Sequence, residues 1–173
     1  YAIDEARAAG ITEFIFVTSR GKSALEDYFD CAPELEASLR NKGKTDTLEM
    51  IEKTNMDSGA IAYIRQHQAL GLGHAVWCAR RLIGDEPFAV LLPDVLIRSE
   101  VSCLAQMMEA YEANPGSNVI AVEAVPEKDV SKFGVIAPKS RNGKVISMSG
   151  MVEKPEPKDA PSNLAITGRY ILQ

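Results

Sequence analysis

Cysteine and histidine are scarce in this chain: three cysteines, none in a CxxC pair, and two histidines confined to one short stretch. That scarcity argues against a structural zinc site, which needs four such ligands at recognisable spacing. An odd number of widely separated cysteines is not a disulfide framework either, and reduced thiols in a cytoplasmic protein describe them better. Apolar runs stop at strand length, well short of the ~20 residues of a membrane-spanning helix. No signal peptide is visible. Lys and Arg are outnumbered by Asp and Glu, for a net charge of −5, and form no cluster that could neutralise a row of phosphates. Nucleic acid is thereby excluded as the main partner. Internal repeats and low-complexity stretches are missing too.

What remains is an ordinary globular composition, 46% hydrophobic and 25% charged over 173 residues, enough for one domain with a real core. Residues 1–9 read as the end of a helix capped by Gly10. Phe14–Thr18 (FIFVT) is a continuous apolar run, as in a strand buried on both faces. Ser23–Phe29 is helical, with Ser23 as a candidate N-cap. The amphipathic stretch Pro33–Lys53 predicts an exposed helical excursion. Strands follow at Ala60–Arg65, Phe88–Leu92 and Val119–Val125, with helices at His74–Ile83 and Cys103–Ala113. Beyond residue 126 the pattern becomes strand-rich: Gly134–Ala137, Lys144–Val152 and Leu164–Leu172, separated by turn chemistry such as Asn142-Gly143. Helix–strand alternation followed by a meander predicts an α/β fold. Its Rossmann-like sheet is mostly parallel but mixed, flanked by helices, with a strand-rich extension. The chain starts at Tyr1 within a helical pattern and stops at Gln173 within an apolar run, so we expect an internal portion of a larger domain, truncated at both ends.

Chemistry concentrates in a few places. Gly71 and Gly73 stand where a strand hands over to a helix, where backbone N–H groups and the helix dipole can meet an anion. Simple turn chemistry explains them equally well. No Lys-Ser/Thr follows as in a Walker loop, and the third glycine of the dinucleotide fingerprint is missing. Gln66, at the preceding strand end, offers a donor and an acceptor to the imide edge of a pyrimidine, or is simply solvated. Asp94 ends an apolar strand at the carboxyl edge, where α/β sheets take ligands; it either ligates a Mg²⁺ ion bridging phosphates or caps the next loop. Glu153 and Lys154 precede Pro155. They could together meet a sugar and its phosphate if the strand terminates there, since neighbours on a strand otherwise point apart. The alternative is a solvated charged pair. His67 reads as exposed and His74 as a helix-start residue.

In order, Gln66, GLGHAV (71–76), LLPDV (91–95), FGV (133–135), VEKP (152–155) and SNLAITGRYIL (162–172) make the chain resemble the sugar-1-phosphate nucleotidylyltransferases. Within that family GLGHAV and SNLAITGRY point to the bacterial uridylyltransferase branch, because the thymidylyltransferases usually carry GLAQA. The resemblance runs over essentially the whole chain. It implies a single nucleotidylyltransferase domain, with residues 1–126 serving the nucleotide and 127–173 the sugar. It implies UTP and glucose-1-phosphate as substrates, Mg²⁺ as cofactor, and a cytoplasmic homo-oligomer, dimeric or tetrameric, with no membrane partner. Gln66 and the Gly71 backbone would hold the uracil, and Asp94 the metal. The Gly134 backbone and Glu153 would bind glucose hydroxyls, Ile166 would lie against the sugar, and Lys154 would contact its phosphate.

Two family segments are not found in these 173 residues: the glycine-rich GxGTRxxP loop with its following PKxxLP, and a second metal-binding aspartate further downstream. This stretch alone is therefore expected to be weakly active or inactive. Two other readings stay open. A glycosyltransferase using a nucleotide sugar would carry a DxD pair, where this chain has Asp94-Val95-Leu96. A non-catalytic binding or regulatory module would keep the base and sugar pockets without the triphosphate loop.

Overall fold

A computed structural model describes all of residues 1–173, which divide into two compact units, Thr12–Gly84 and Tyr1–Ile11 with Asp85–Gln173. The first unit is built on a parallel pair, β1 (Phe14–Thr18) and β2 (Ile61–Arg65), in register from Phe14↔Ile61 to Thr18↔Arg65. A crossover of helices α2 (Ser23–Tyr28), α3 (Pro33–Asn41) and α4 (Thr45–Glu52) joins them, as a parallel connection requires. Gly43, at φ 66, turns the chain between α3 and α4. Ser23 is the first helical residue and Lys22 the cap, without a side-chain cap bond, so the expected serine cap is not made. The strand β1 is half-buried along Phe14–Val17 and fully buried only at Thr18. The expectation of burial on both faces fails because a two-stranded sheet offers too little cover. Phe16 packs instead against Phe29 and Tyr63, at ring separations of 5.2 and 5.4 Å, within the favourable range for tilted aromatic pairs. Helix α5 (Leu72–Ile83) follows β2, packs against both strands and buries Ala79.

The second unit holds an antiparallel sheet. Its strands are β3 (Phe88–Leu91), β4 (Val119–Ala124), β5 (Gly134–Asn142), β6 (Val145–Glu153) and β7 (Leu164–Leu172). They run in the order β3-β7-β5-β6, with β4 also paired to β7. Helix α1 (Ala2–Ala8) ends in a Schellman motif: Ile11 N–H donates to Ala6 O at 3.0 Å and Gly10 N–H to Arg7 O at 2.9 Å. Gly10, at φ 87, takes the left-handed position that this cap needs. Helix α6 (Cys103–Glu112) starts at Ser102, whose hydroxyl accepts from Ala105 N–H at 3.1 Å, a cap worth about 1 kcal/mol. Its buried Leu104 and Met107, three residues apart, join Ala6, Val130, Val135, Ile136, Ala165 and Ile171 in the core of this unit. Each large aliphatic side chain there contributes about 1.5–3 kcal/mol by burial.

Strand β7 is irregular where it matters. Between the pairs Ile120↔Tyr170 and Val122↔Ile166, β4 has only Ala121 while β7 has Thr167, Gly168 and Arg169. That surplus is a bulge, and Gly168 within it has φ +70. The β5–β6 hairpin closes through Gly143-Lys144 after the pair Asn142↔Val145. Gly143, at φ 60, occupies the first central position, which a type II′ turn reserves for glycine. No helix is long and apolar enough to cross a membrane.

Candidate functional site

In the unit Thr12–Gly84, the carboxyl ends of β1 and β2 open onto a cleft of about 500 Å³. Ser19, Arg20, Arg65, Gln66, His67 and Ala69 line it, and ligands of open α/β sheets bind at such strand ends. Gln66 continues the ladder, its N–H donating to Thr18 O at 2.8 Å. The Gln66 carboxamide nitrogen donates to Gly71 O at 3.1 Å and lies 3.0 Å from His74 Nδ1. The carbonyl of Gly71 can only accept, so Nε2 must face it. His74 Nδ1 is then the second acceptor, and the imidazole proton sits on Nε2. Both amide hydrogens are thus held internally, and Oε1 is left as a free acceptor. The sequence marked His74 only as a helix-start residue; its role in orienting Gln66 follows from the glycine turn folding back.

Gly71 explains why α5 starts at Leu72 rather than His74. Its φ of 90° and ψ of −179° fall in a region essentially reserved for glycine. Nothing lies within 4 Å of where a Cβ would stand, so that side of the backbone is open to a ligand. Trp77 and Arg80 on the exposed side of α5 stack at 3.4 Å, and His74 lies 5.7 Å from the Trp77 ring.

The other unit gathers four of the expected residues at one end of its sheet. Gly134 pairs with Glu153 across β5 and β6, and Val135 pairs with Ala165 of β7. A Cβ on Gly134 would lie 2.9 Å from Glu153 Oε2 and 3.4 Å from Ile166 Cδ1. Gly134, Glu153 and Ile166 therefore meet closely, and a side chain on Gly134 would displace the Glu153 carboxylate. Ser162 fastens the entry to β7, donating to Ile136 O at 2.6 Å and accepting from Leu164 N–H at 3.1 Å.

Lys154 is the one non-glycine residue with positive φ, at 47°. Its N–H donates to Phe133 O at 3.0 Å. The turn is made by Lys154 itself, with Pro155 buried behind it. The reversal brings Lys154 Nζ to 3.6 Å from Glu153 Oε1, with both side chains largely exposed. At that distance and exposure the pair adds little stability, so the left-handed backbone is held for another reason. Burial, and then the charge of Glu153, push the Tyr170 phenol above its ordinary range.

Asp94 lies in this unit too, in an exposed turn directly after β3. Its carboxylate has no protein partner, and no group of three or more His, Cys, Asp or Glu side chains could hold a metal ion. Residues that sequence reasoning passed over stand behind it: Arg169 and Glu5, fully or nearly buried and paired at 3.0 Å. Their separation of 164 residues leaves no local pattern that could have pointed to them.

A parallel strand pair opening into a glycine turn, together with an antiparallel sheet that collects Gly134, Glu153 and Ile166, makes this an α/β protein. The chain belongs to the nucleotidyl transferase family, whose model matches residues 1–173. Over 172 residues it is 49% identical to a UTP–glucose-1-phosphate uridylyltransferase of Bacillus subtilis, covering 99% of this chain and 58% of that protein. It is 46% identical to a protein of the same name from Komagataeibacter xylinus, with 99% and 60% covered. Among solved structures, the UTP-bound UGPase of Acinetobacter baumannii superposes with a TM-score of 0.90 at 42% identity, covering 99% of this chain and 61% of that one. The chain thus spans about three-fifths of the length of the relatives it matches.

Proposed function

We propose that the protein containing this chain transfers UMP from UTP to glucose-1-phosphate, forming UDP-glucose and pyrophosphate. The observation that carries this reading is the 46–49% identity over 172 residues to proteins named for that reaction, supported by the likeness to a UTP-bound structure. A phosphate oxygen of glucose-1-phosphate attacks the α-phosphorus of UTP; the bond from that phosphorus to the bridging oxygen breaks, and pyrophosphate leaves. The nucleophile is already ionised at neutral pH, so catalysis consists of positioning and charge stabilisation.

Within the unit Thr12–Gly84, Gln66 accepts the imide N–H of uracil through its free Oε1, and the Gly71 backbone supplies the complementary contacts. In the other unit, the Gly134 backbone and Glu153 bind glucose hydroxyls, Ile166 lies against the ring, and Lys154 meets the sugar phosphate. Residues 1–126 then serve the nucleotide and 127–173 the sugar. Members of this family commonly use a divalent metal. Asp94 fits one of the hard, oxygen-liganded kind, being an exposed carboxylate with no protein partner at a strand's carboxyl end. Such a cation is normally held by one or two carboxylates plus substrate phosphates rather than by a protein cage. Mg²⁺ bound there would neutralise phosphate charge during transfer. The same reading makes the protein a cytoplasmic homo-oligomer, dimer or tetramer, whose three free cysteines stay reduced.

The test is pyrophosphate release by the full-length protein supplied with UTP, glucose-1-phosphate and Mg²⁺. Release that requires both substrates supports the reading. Binding of UDP-glucose without any release would replace it with a non-catalytic binding module.

A further inference from the structure

Arg169 has no exposed surface, although it stands in the bulge of β7. An arginine carries five N–H donors, and here every one has an acceptor. Nε and one Nη2 hydrogen meet the Glu5 carboxylate at 3.2 and 3.0 Å. The second Nη2 hydrogen reaches Val95 O at 2.8 Å. Nη1 divides its two between Leu92 O at 2.9 Å and Gly168 O at 3.2 Å.

Leu92 and Val95 are the residues on either side of Pro93-Asp94. The guanidinium therefore bridges the two ends of the turn that carries Asp94. Other contacts hold the same segment. Leu92 N–H donates to Gly168 O at 2.9 Å, and a Cβ on Gly168 would lie 3.0 Å from the Leu92 side chain, so the bulge sits directly against Leu92. Further along, the Tyr1 hydroxyl donates to Ile97 O at 2.7 Å. A buried ion pair is commonly no more stabilising than apolar side chains of the same volume. An apolar pair here could not grip two carbonyls three residues apart, and bulges frequently re-aim side chains beside active sites.

We propose that Arg169, braced by Glu5, is a positioning residue: it holds the Leu92–Val95 turn in the shape that sets the Asp94 carboxylate for the metal–nucleotide complex. The inference rests on the proposed uridylyl transfer and on Asp94 as metal ligand. Mg²⁺ demands near-ideal octahedral geometry, so a carboxylate on a loosened turn binds it less well. Outer-shell groups that orient ligands typically change metal affinity by ~10–100-fold when altered.

The decisive experiment uses the full-length protein, Mn²⁺ with UTP as the probe, and electron paramagnetic resonance to count bound Mn²⁺. Arg169→Lys keeps a positive charge near Glu5, but a single ammonium cannot span both carbonyls. It is expected to bind Mn²⁺–UTP ~10–100-fold more weakly, with faster hydrogen exchange at Asp94 and Val95 and an unchanged KM for glucose-1-phosphate. Glu5→Gln retains the guanidinium fork without its charge brace and should shift the same constant in the same direction by less. Mn²⁺–UTP binding equal to the parent in Arg169→Lys, or in Glu5→Gln if the lysine variant does not fold, overturns the proposal. Asp94→Asn is run alongside. If it too binds Mn²⁺–UTP like the parent, the metal assignment falls and the positioning role with it. If it binds weakly while Arg169→Lys does not, only the positioning role is lost.

Discussion

Gly134 and Gly71 are glycines for different reasons, and the difference sets what each substitution does. At Gly134 the backbone is ordinary, and the added methyl of Gly134→Ala would press on the far end of the Glu153 side chain at 2.9 Å. That end can swing away, so the fold should survive with a melting temperature within a few degrees of the parent. The displaced carboxylate should raise KM for glucose-1-phosphate while leaving KM for UTP unchanged; steady-state kinetics of the full-length protein would reveal a uniform effect if the reading is wrong. At Gly71 there is open space but no allowed conformation, and Gly71→Ala should cost about 1–3 kcal/mol of backbone strain. It should also disturb the carbonyl that orients Gln66, weakening UTP binding. Cys103 offers a check on the buried unit. Burial, with a further push from Glu5 that Arg169 partly offsets, raises its thiol above the usual range, so it stays protonated at neutral pH and slow to alkylate. Iodoacetamide should label exposed Cys31 well before Cys103, with Cys103 labelling growing as pH rises; equal rates at pH 7 would contradict the burial.

At the scale of elements, local signals were legible and long-range ones were not. FIFVT, AIAYIR and LAITGRYIL each form the strand their composition announces, because β-branched and aromatic runs bounded by turn residues have few alternatives. Gly10 and Asn142-Gly143 mark an end and a hairpin for the same local reason. The helix α5 begins two residues early because its start depends on the glycine-only conformation of Gly71, which the 3.6-residue pattern does not encode. Glu153 and Lys154 were recognisable as a pair, yet the bend that joins them lies in the left-handed Lys154 rather than in Pro155. The β7 bulge and the Arg169–Glu5 pair had no local trace, since they exist only once α1, β3 and β7 are assembled. Truncating this pair shows its energetic role: Arg169→Met leaves Glu5 buried without a counter-charge and should cost about 3–5 kcal/mol, measurable as a lowered urea midpoint. A loss below 1 kcal/mol would mean that the turn carbonyls and Glu5 find other partners.

For the molecule as a whole, the sequence resemblance and the chain's own chemistry point the same way. The unit of Tyr1–Ile11 and Asp85–Gln173 contains most of the fully buried apolar side chains, whereas Thr12–Gly84 contributes Leu39 and Ala79. Amide exchange should accordingly be slowest in β5 and β7 and faster in β1 and β2. The central claim, attack by the sugar phosphate on the α-phosphorus of UTP, is tested most directly with glucose-1-phosphate labelled by oxygen-18 at every phosphate oxygen. The full-length protein should produce UDP-glucose that keeps all of the label and pyrophosphate that has none, as read by mass spectrometry. Label lost from the sugar nucleotide, or label found in the pyrophosphate, would contradict the account.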